Sequence, residues 1–373
     1  RQSARFELNE LKQHAVKLNQ ALTEQDSQIT SLNQQLAALY HSTSWRITGP
    51  LRIVGHQSKR YRREGLALIK RGFKKKVITS VSRVEELTKF ATREGRGIEI
   101  GPWCYPVVPK RLGYNCLILD IFDTDTLRQR ATEDPGIPDD LVTHIEEVDL
   151  IGSSTEIAKL VCVRNELDTF DYIISSHNFE HLPDPIRFLQ GCSEVLKPGG
   201  ILTMAIPDRR GCFDCFRPHS TLAQLLEAYF EQRDRPTQAQ IFERWSLSAR
   251  SIKTGDESIS FPIETDPASV VPFHSLQKAF LMWQEFIDNP DDTYRDTHCW
   301  VFTPASCELI LSDLSFLGLI ALEVFYISSG QNEFFVHLKK KPAKVDVRST
   351  EQQEHFYTNR QRLMLRTYTE SRP

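Results

Sequence analysis

Nowhere in the 373 residues is there a run of about 18 apolar side chains, so no stretch of this sequence reads as a membrane-spanning helix. The formal net charge is only -3, which excludes bulk attraction to a polyanion and puts the weight on local charge runs. Close cysteine pairs are nearly missing too. Cys212 and Cys215 form one CxxC, but Cys299 and Cys307 are too far apart to complete a zinc site. The eight cysteines read as reduced thiols, and no metal is assigned, although His177, Glu180 and His181 offer metal-capable groups at i, i+3 and i+4. Glycine is scarce where it would matter most. In "GIEIGPWCYP" (97–106) a strand runs into a turn, yet Gly101 is followed by Trp103 and Tyr105 rather than by further glycines. A loop that closes its backbone on a pyrophosphate needs those glycines, so a dinucleotide is a poor ligand for it. The chain also has no initial Met and no signal peptide. It begins at Arg1 inside a periodic pattern and reads as a piece of a longer protein.

That pattern fills residues 1–40. Leu8, Ala15, Leu22, Ile29 and Leu36 take one position of a heptad, and Leu11, Leu18, Gln25, Leu32 and Leu39 take the other. Unbroken 3-4 spacing under a polar outer face predicts an α-helical coiled coil that self-associates as a dimer or trimer. The plainer alternative is a long helix packed on its own domain. Residues 41–94 read as a linker with a basic amphipathic segment. Leu51 to Lys76 hold ten Lys or Arg against one Glu, interleaved with Leu66, Leu68, Ile69 and Phe73. Such a segment suits an anionic membrane surface or a solvated linker helix. No base-stacking motif accompanies the charge, so nucleic acid is not a predicted partner.

From 95 to 340 the pattern changes to buried strands alternating with helices, which predicts an α/β domain with a parallel sheet and helices on both faces. Strands are expected at 97–101, 114–122, 143–152, 170–177 and 200–208, helices at 185–196 and 304–318, and a hairpin near 319–340. Residues 209–298 are too long for a loop, hold helical pieces at 220–232 and 275–287, and read as an insertion or lid over the acceptor. Residues 341–373 read as a polar tail.

Ligands of such sheets sit at the carboxyl ends of the strands. The second strand ends at Asp120, nineteen residues after Gly101, where an acid can accept hydrogen bonds from both ribose hydroxyls. Ser153 and Ser154 end the third and can approach an adenine. "IEIGPWCYP", "LILDIF", "FDYIISSHNFEHLPDP", "EVLKPGGILTMAIPD" and "DTHCWVFTPAS" together resemble a class I S-adenosylmethionine-dependent methyltransferase. The resemblance implies a Rossmann-like, seven-stranded sheet preceded here by the coiled coil, and S-adenosylmethionine as cofactor. It also implies that Glu99, Gly101 and Asp120 bind that cofactor, with Pro102 in the same turn and Ser176 at its border. Two departures go against it: the missing glycines, and Gly152-Ser153 in place of an acid after the third strand. The cofactor has no phosphate, so a one-glycine turn is tolerable.

For a hydroxyl acceptor a general base is expected, with His177, His181 and Asp208 as candidates. His177 and Asp208 end adjacent strands near where the methyl should lie, while His181 reads equally as a structural cap or core histidine. His219 and His298 are further candidates. Arg209, Asp214, Arg217 and His298 are taken as contacts to a polyhydroxylated acceptor; the alternative for the charged residues is mutual pairing. Finally, "STSWRITGPLR" resembles an "SxSWRxTxPLR" stretch of bacterial proteins that build cell-surface polysaccharides. It implies a cytoplasmic, membrane-peripheral enzyme that O-methylates a sugar hydroxyl of a surface glycan. A small-molecule or lipid methyltransferase, or a non-catalytic scaffold, are the alternatives.

Overall fold

The structure is a computed structural model that describes residues 83–252, 258–288, 296–342 and 349–371. The expected coiled coil of 1–40 and the basic segment of 51–76 lie outside the described residues. In chain order the main elements begin with α1 (Arg83–Leu87), β1 (Arg96–Ile100), β2 (Asn115–Asp120), α2 (Thr124–Glu133), α3 (Asp139–Val142) and β3 (Leu150–Ile151). They continue with α4 (Ile157–Cys162), β4 (Phe170–Ser176), α5 (Pro185–Val195) and β5 (Leu196–Pro207). Next come α6 (Leu222–Glu231), α7 (Gln238–Leu247), β6 (Ala249–Ser251), β7 (Val270–Pro272) and α8 (Leu276–Asp288). The last are α9 (Pro304–Phe316), β8 (Leu322–Ser329), β9 (Glu333–Lys340) and α10 (Thr350–Glu370).

Seven strands form one sheet in the order β3-β2-β1-β4-β5-β9-β8. The first five run parallel, and β9 lies antiparallel between β5 and β8. The chain lays strands outward from β1 in one direction, then returns beside β1 with β4. That reversal opens a crevice at the carboxyl ends of β1 and β4, where ligands of open sheets bind.

Alternation along the strands divides the core in two. Ile98, Ile100 and Ile173 face a large cluster with Ile157, Phe188 and Leu311 from the helices. Tyr172 and Ile174 point the other way, toward Leu87, Val108 and Cys116. Successive side chains on a strand point to opposite faces, so strands covered on both sides read as nearly continuous apolar runs.

Three expectations are corrected. The third strand is two residues long rather than 143–152, because the Asp149 carboxylate accepts the Ile118 N–H at 2.8 Å and stands in for the ladder carbonyl there. The polar tail is not a tail. Ser349 caps α10, Phe356 stacks on Phe316 of α9 at 3.7 Å between centroids, and Arg360 forks onto Asp313. Only Leu363 and Thr367 of α10 are buried, which is why its composition reads as exposed. The insertion contains α6 and α8 where helices were expected, and also α7, which the sequence reading missed. Among the described residues no helix is long and apolar enough to cross a membrane.

Candidate active site

At the β1 end, Gly101 turns with φ 59°, and a Cβ added there would meet nothing within 4 Å, so the turn is open to a ligand. Glu99 lies directly before it, 2% exposed, and its two oxygens accept the N–H groups of Val107 (2.7 Å) and Val108 (3.1 Å). Burial pushes its carboxyl up to about 7, against the pull of those two bonds. Glu99 thus holds the loop in shape rather than presenting an oxygen to a ligand. Trp103 takes φ 43° and turns its ring toward the small cluster of Cys104, Leu127 and Ala131, donating to the Leu127 carbonyl. Tyr105 is exposed.

Asp120 ends β2 with Oδ1 accepting the Phe122 N–H at 3.1 Å, and burial raises its pKa. Ile121 follows it, and Ile151 is its register partner on β3; they are 63% and 55% exposed. Two exposed isoleucines thus neighbour this carboxylate, Ile121 in sequence and Ile151 in register. An acceptor with exposed apolar side chains beside it has the chemistry that a nucleoside's ribose and ring require. Neither isoleucine was singled out by the sequence reading; both follow chemistry-bearing positions and were absorbed into apolar runs. Ser153 is spent on capping the turn at 154–156. Ser154 instead donates to Asn178, which reaches Ser175 at the end of β4, so this small network ties β3 to β4. Ser176 accepts from Arg83 at 2.5 Å.

The β4 end is denser in charge. His177 takes φ 49°, a left-handed conformation that costs a non-glycine residue roughly 1–2 kcal/mol. The turn places its ring between Glu180 (3.4 Å) and Glu333 (2.9 Å). Burial alone would lower its pKa, but the neighbouring Glu180 and Glu333 carboxylates outweigh that and raise it to about 9. Expected as a base, His177 instead carries its proton at neutral pH, and Glu333 is in turn held by Arg83 at 2.8 Å.

Three residues on, Glu180 is 1% exposed, and neither of its oxygens has a hydrogen-bond partner. His181 turns its Nδ1 to Asp296 at 2.8 Å, and His298 turns its Nδ1 to Asp214 at 2.5 Å. Both Nε2 atoms face Glu180 Oε1, at 3.9 and 4.0 Å. The His181 pKa is raised: burial works against this, and the Asp296 bond overcomes it. Asp296 and Asp214 are held below the usual carboxylate range, Asp296 chiefly by His181, Asp214 by His298 and Arg217 against its burial.

Backbone pairing brings His298 here across 118 residues. Trp300 N–H donates to Glu180 O at 3.1 Å, its indole N–H donates to Leu182 O at 2.5 Å, and Cys299 Sγ lies 3.3 Å from His181 O. The buried Trp300 ring anchors this zipper.

The remaining expected contacts are corrected. Asp208 is 1% exposed, caps the turn at 209–211 and pairs with Arg210 at 2.6 Å, so it is a structural carboxylate and not a free base. Arg217 is also 1% exposed and spends its guanidinium on Asp214, Glu243 and the His298 carbonyl. Asp214 and Arg217 therefore orient His298 from behind rather than touch an acceptor. Arg209 donates to the Cys215 carbonyl, and His219 meets Ser371 away from this cluster. Asp296 and Glu333 were missed. Asp296 stands two residues before His298 in "DTHCW", which was a usable signal, whereas nothing local marks Glu333.

This fold, with an open turn after β1 and an acid at the end of β2, is that of a class I S-adenosylmethionine-dependent methyltransferase, and S-adenosylmethionine is its cofactor. The chain belongs to the methyltransferase domain family, which it matches over residues 82–316. Over 42 residues it is 40% identical to a ubiquinone biosynthesis O-methyltransferase of Parvibaculum lavamentivorans; the match covers 11% of this chain and 17% of that relative. Among solved structures, a SAM-dependent methyltransferase of Methanosarcina mazei is 13% identical, with a TM-score of 0.32 over 70% of this chain and 99% of that one. One from Aquifex aeolicus is 14% identical, with a TM-score of 0.33 over 68% and 87%.

Proposed function

We propose that the protein is an O-methyltransferase whose acceptor hydroxyl is received at Glu180, His181 and His298. One observation carries this reading: two carboxylate-backed imidazoles face one buried carboxylate beside the carboxyl end of β4. When bound, S-adenosylmethionine supplies a methyl already activated on a sulfonium. The chain's own task is then to hold a nucleophile in line and relieve it of its proton. An imidazole whose Nδ1 is bonded to a carboxylate is fixed in orientation and made more basic at Nε2. Asp120 takes the ribose and Ile121 and Ile151 flank the adenine, which puts the acceptor on the β4 and β5 side of the crevice.

For the acceptor we infer a sugar hydroxyl of a bacterial surface glycan, supported by the "STSWRITGPLR" stretch. On this reading the heptads of 1–40 join copies of the chain, and the basic run of 51–76 rests on the anionic inner face of the membrane. The 42-residue match favours a second acceptor, the phenolic hydroxyl of a quinone precursor. Incubation with radiolabelled S-adenosylmethionine separates them: label is expected in isolated surface glycan. Label only in a polyprenyl-phenol precursor would establish the second reading. Absence of S-adenosylhomocysteine binding at millimolar concentration would overturn methyl transfer itself.

A further inference from the structure

We propose that Glu180, His181 and His298 bind a first-row divalent transition-metal ion. Their ligating atoms lie within 4.8 Å of one another. The two Nε2 atoms stand 3.9 and 4.0 Å from Glu180 Oε1. Metal bonds of about 2.0–2.2 Å need donors roughly 3–3.5 Å apart. Side-chain rotations that draw the atoms in by about an ångström suffice, with no backbone shift.

Three features make this a built site rather than a chance cluster. First, Glu180 is buried, with the His177 ring 3.4 Å from Oε1 as its nearest cationic neighbour, and neither oxygen accepts a hydrogen bond. Burying a carboxylate without one is costly, and a cation removes that cost. Second, each histidine already donates Nδ1–H to a carboxylate, His181 to Asp296 and His298 to Asp214, which aims the Nε2 lone pairs at one point. Carboxylate-backed imidazoles are the usual support of metal-ligating histidines. Third, the supports are themselves anchored: Asp214 is held by Arg217, and Arg217 by Glu243 and the His298 carbonyl.

The donor set chooses the ion. Two imidazoles and one carboxylate suit zinc, cobalt or iron(II), while magnesium and calcium prefer oxygen alone. Three protein ligands also leave at least one coordination position open, as sites that handle substrate do. With the ion bound both Nε2 lone pairs are engaged, so the ion, not an imidazole, would acidify the acceptor hydroxyl; that role rests on the O-methyl-transfer reading, and the binding of the ion does not.

The test uses the full chain, stripped with chelator and titrated with Co²⁺. One equivalent is expected, seen by calorimetry and by the visible d–d absorption of the bound ion. His298→Asn should abolish the absorption. Asp296→Asn, which alters only the exposed support of His181, should weaken binding about 10- to 100-fold, while circular dichroism stays native. No stoichiometric uptake at submillimolar Co²⁺, or uptake unchanged in His298→Asn, would overturn the proposal. Transfer to glycan that persists after metal removal would sink a catalytic role for the ion alone. Tight binding with no transfer to any hydroxyl would instead sink the functional reading and leave the site standing.

Discussion

The two halves of the crevice are built by different means. On the β1–β3 side the ligand-facing groups are few and local. Gly101, Asp120, Ile121 and Ile151 sit at strand ends or in the residue after, and their positions follow from the strands that carry them. On the β4–β5 side the groups are dense and mostly paired, and the pairs span long distances in sequence. His181 meets Asp296, His177 meets Glu333, and Arg83 meets the same Glu333 from the far end of the domain. The first half has the form of a generic holder for one constant cofactor. The second joins Glu180 and His181 after β4 to Asp214, Asp296 and His298 from the insertion. Folds of this kind host many functions because sites are grafted onto them in this way.

Removing one side chain from each half is the sharpest way to break this contrast. His181→Ala should lower turnover about 10²- to 10⁴-fold, the range for a lost proton-transfer group, and leave cofactor affinity within a factor of two or so. Steady-state kinetics with calorimetry of S-adenosylhomocysteine checks both; a matching loss of affinity would mean the halves are not separate. Asp120→Ala reverses the pattern. Loss of hydrogen bonds to a charged acceptor is worth about 1.5–3 kcal/mol, or roughly 10- to 100-fold in affinity. Unchanged binding would refute the ribose assignment.

Glu99→Gln tests whether that residue is part of the frame. An amide offers one acceptor to two N–H groups, so stability should fall by about 1–3 kcal/mol in urea unfolding, with only a secondary effect on affinity. The pH dependence has a definite sign. The Glu99 pKa is raised from 4.5 to about 7 in the fold. Its titration thus contributes stability below about 4.5 that is lost as pH rises through 7. The gap between wild type and Glu99→Gln should narrow between pH 6 and 8; a widening gap would contradict the assigned burial. The smallest effect is expected for Ile151→Ser. Losing half-exposed apolar contact should cost about 1 kcal/mol of cofactor affinity and no measurable stability, since the side chain is bare in the free protein.

The same division governs how much could be read beforehand. The order of strands, the acid at 120 and the turn at 101 came from short-range pattern, because a buried strand must be apolar and a tight turn must bend. The histidines at 177 and 181 were also visible, but their states were not. His177 became a protonated clamp because Glu333, on the last strand of the sheet, packs beside it. Asp208 looked like a base and Arg217 like an acceptor contact in a charged stretch, and both proved to be buried pairs, a distinction that only burial makes. The tail at 341–373 was misjudged for the opposite reason: α10 buries so little of itself that composition gave no sign of a packed helix.

By itself, then, the sequence determined the class of fold, the turn at Gly101 and the acid at the end of the second strand. Each of these depends on residues close in sequence, where backbone geometry and periodicity act directly. Only the tertiary structure decided that Glu180, His181 and His298 share one point, and that Asp296 and Asp214 aim the two rings at it. Those contacts cross more than eighty residues. They form because a buried tryptophan and three hydrogen bonds draw two distant segments together, and no local pattern encodes which segments those will be.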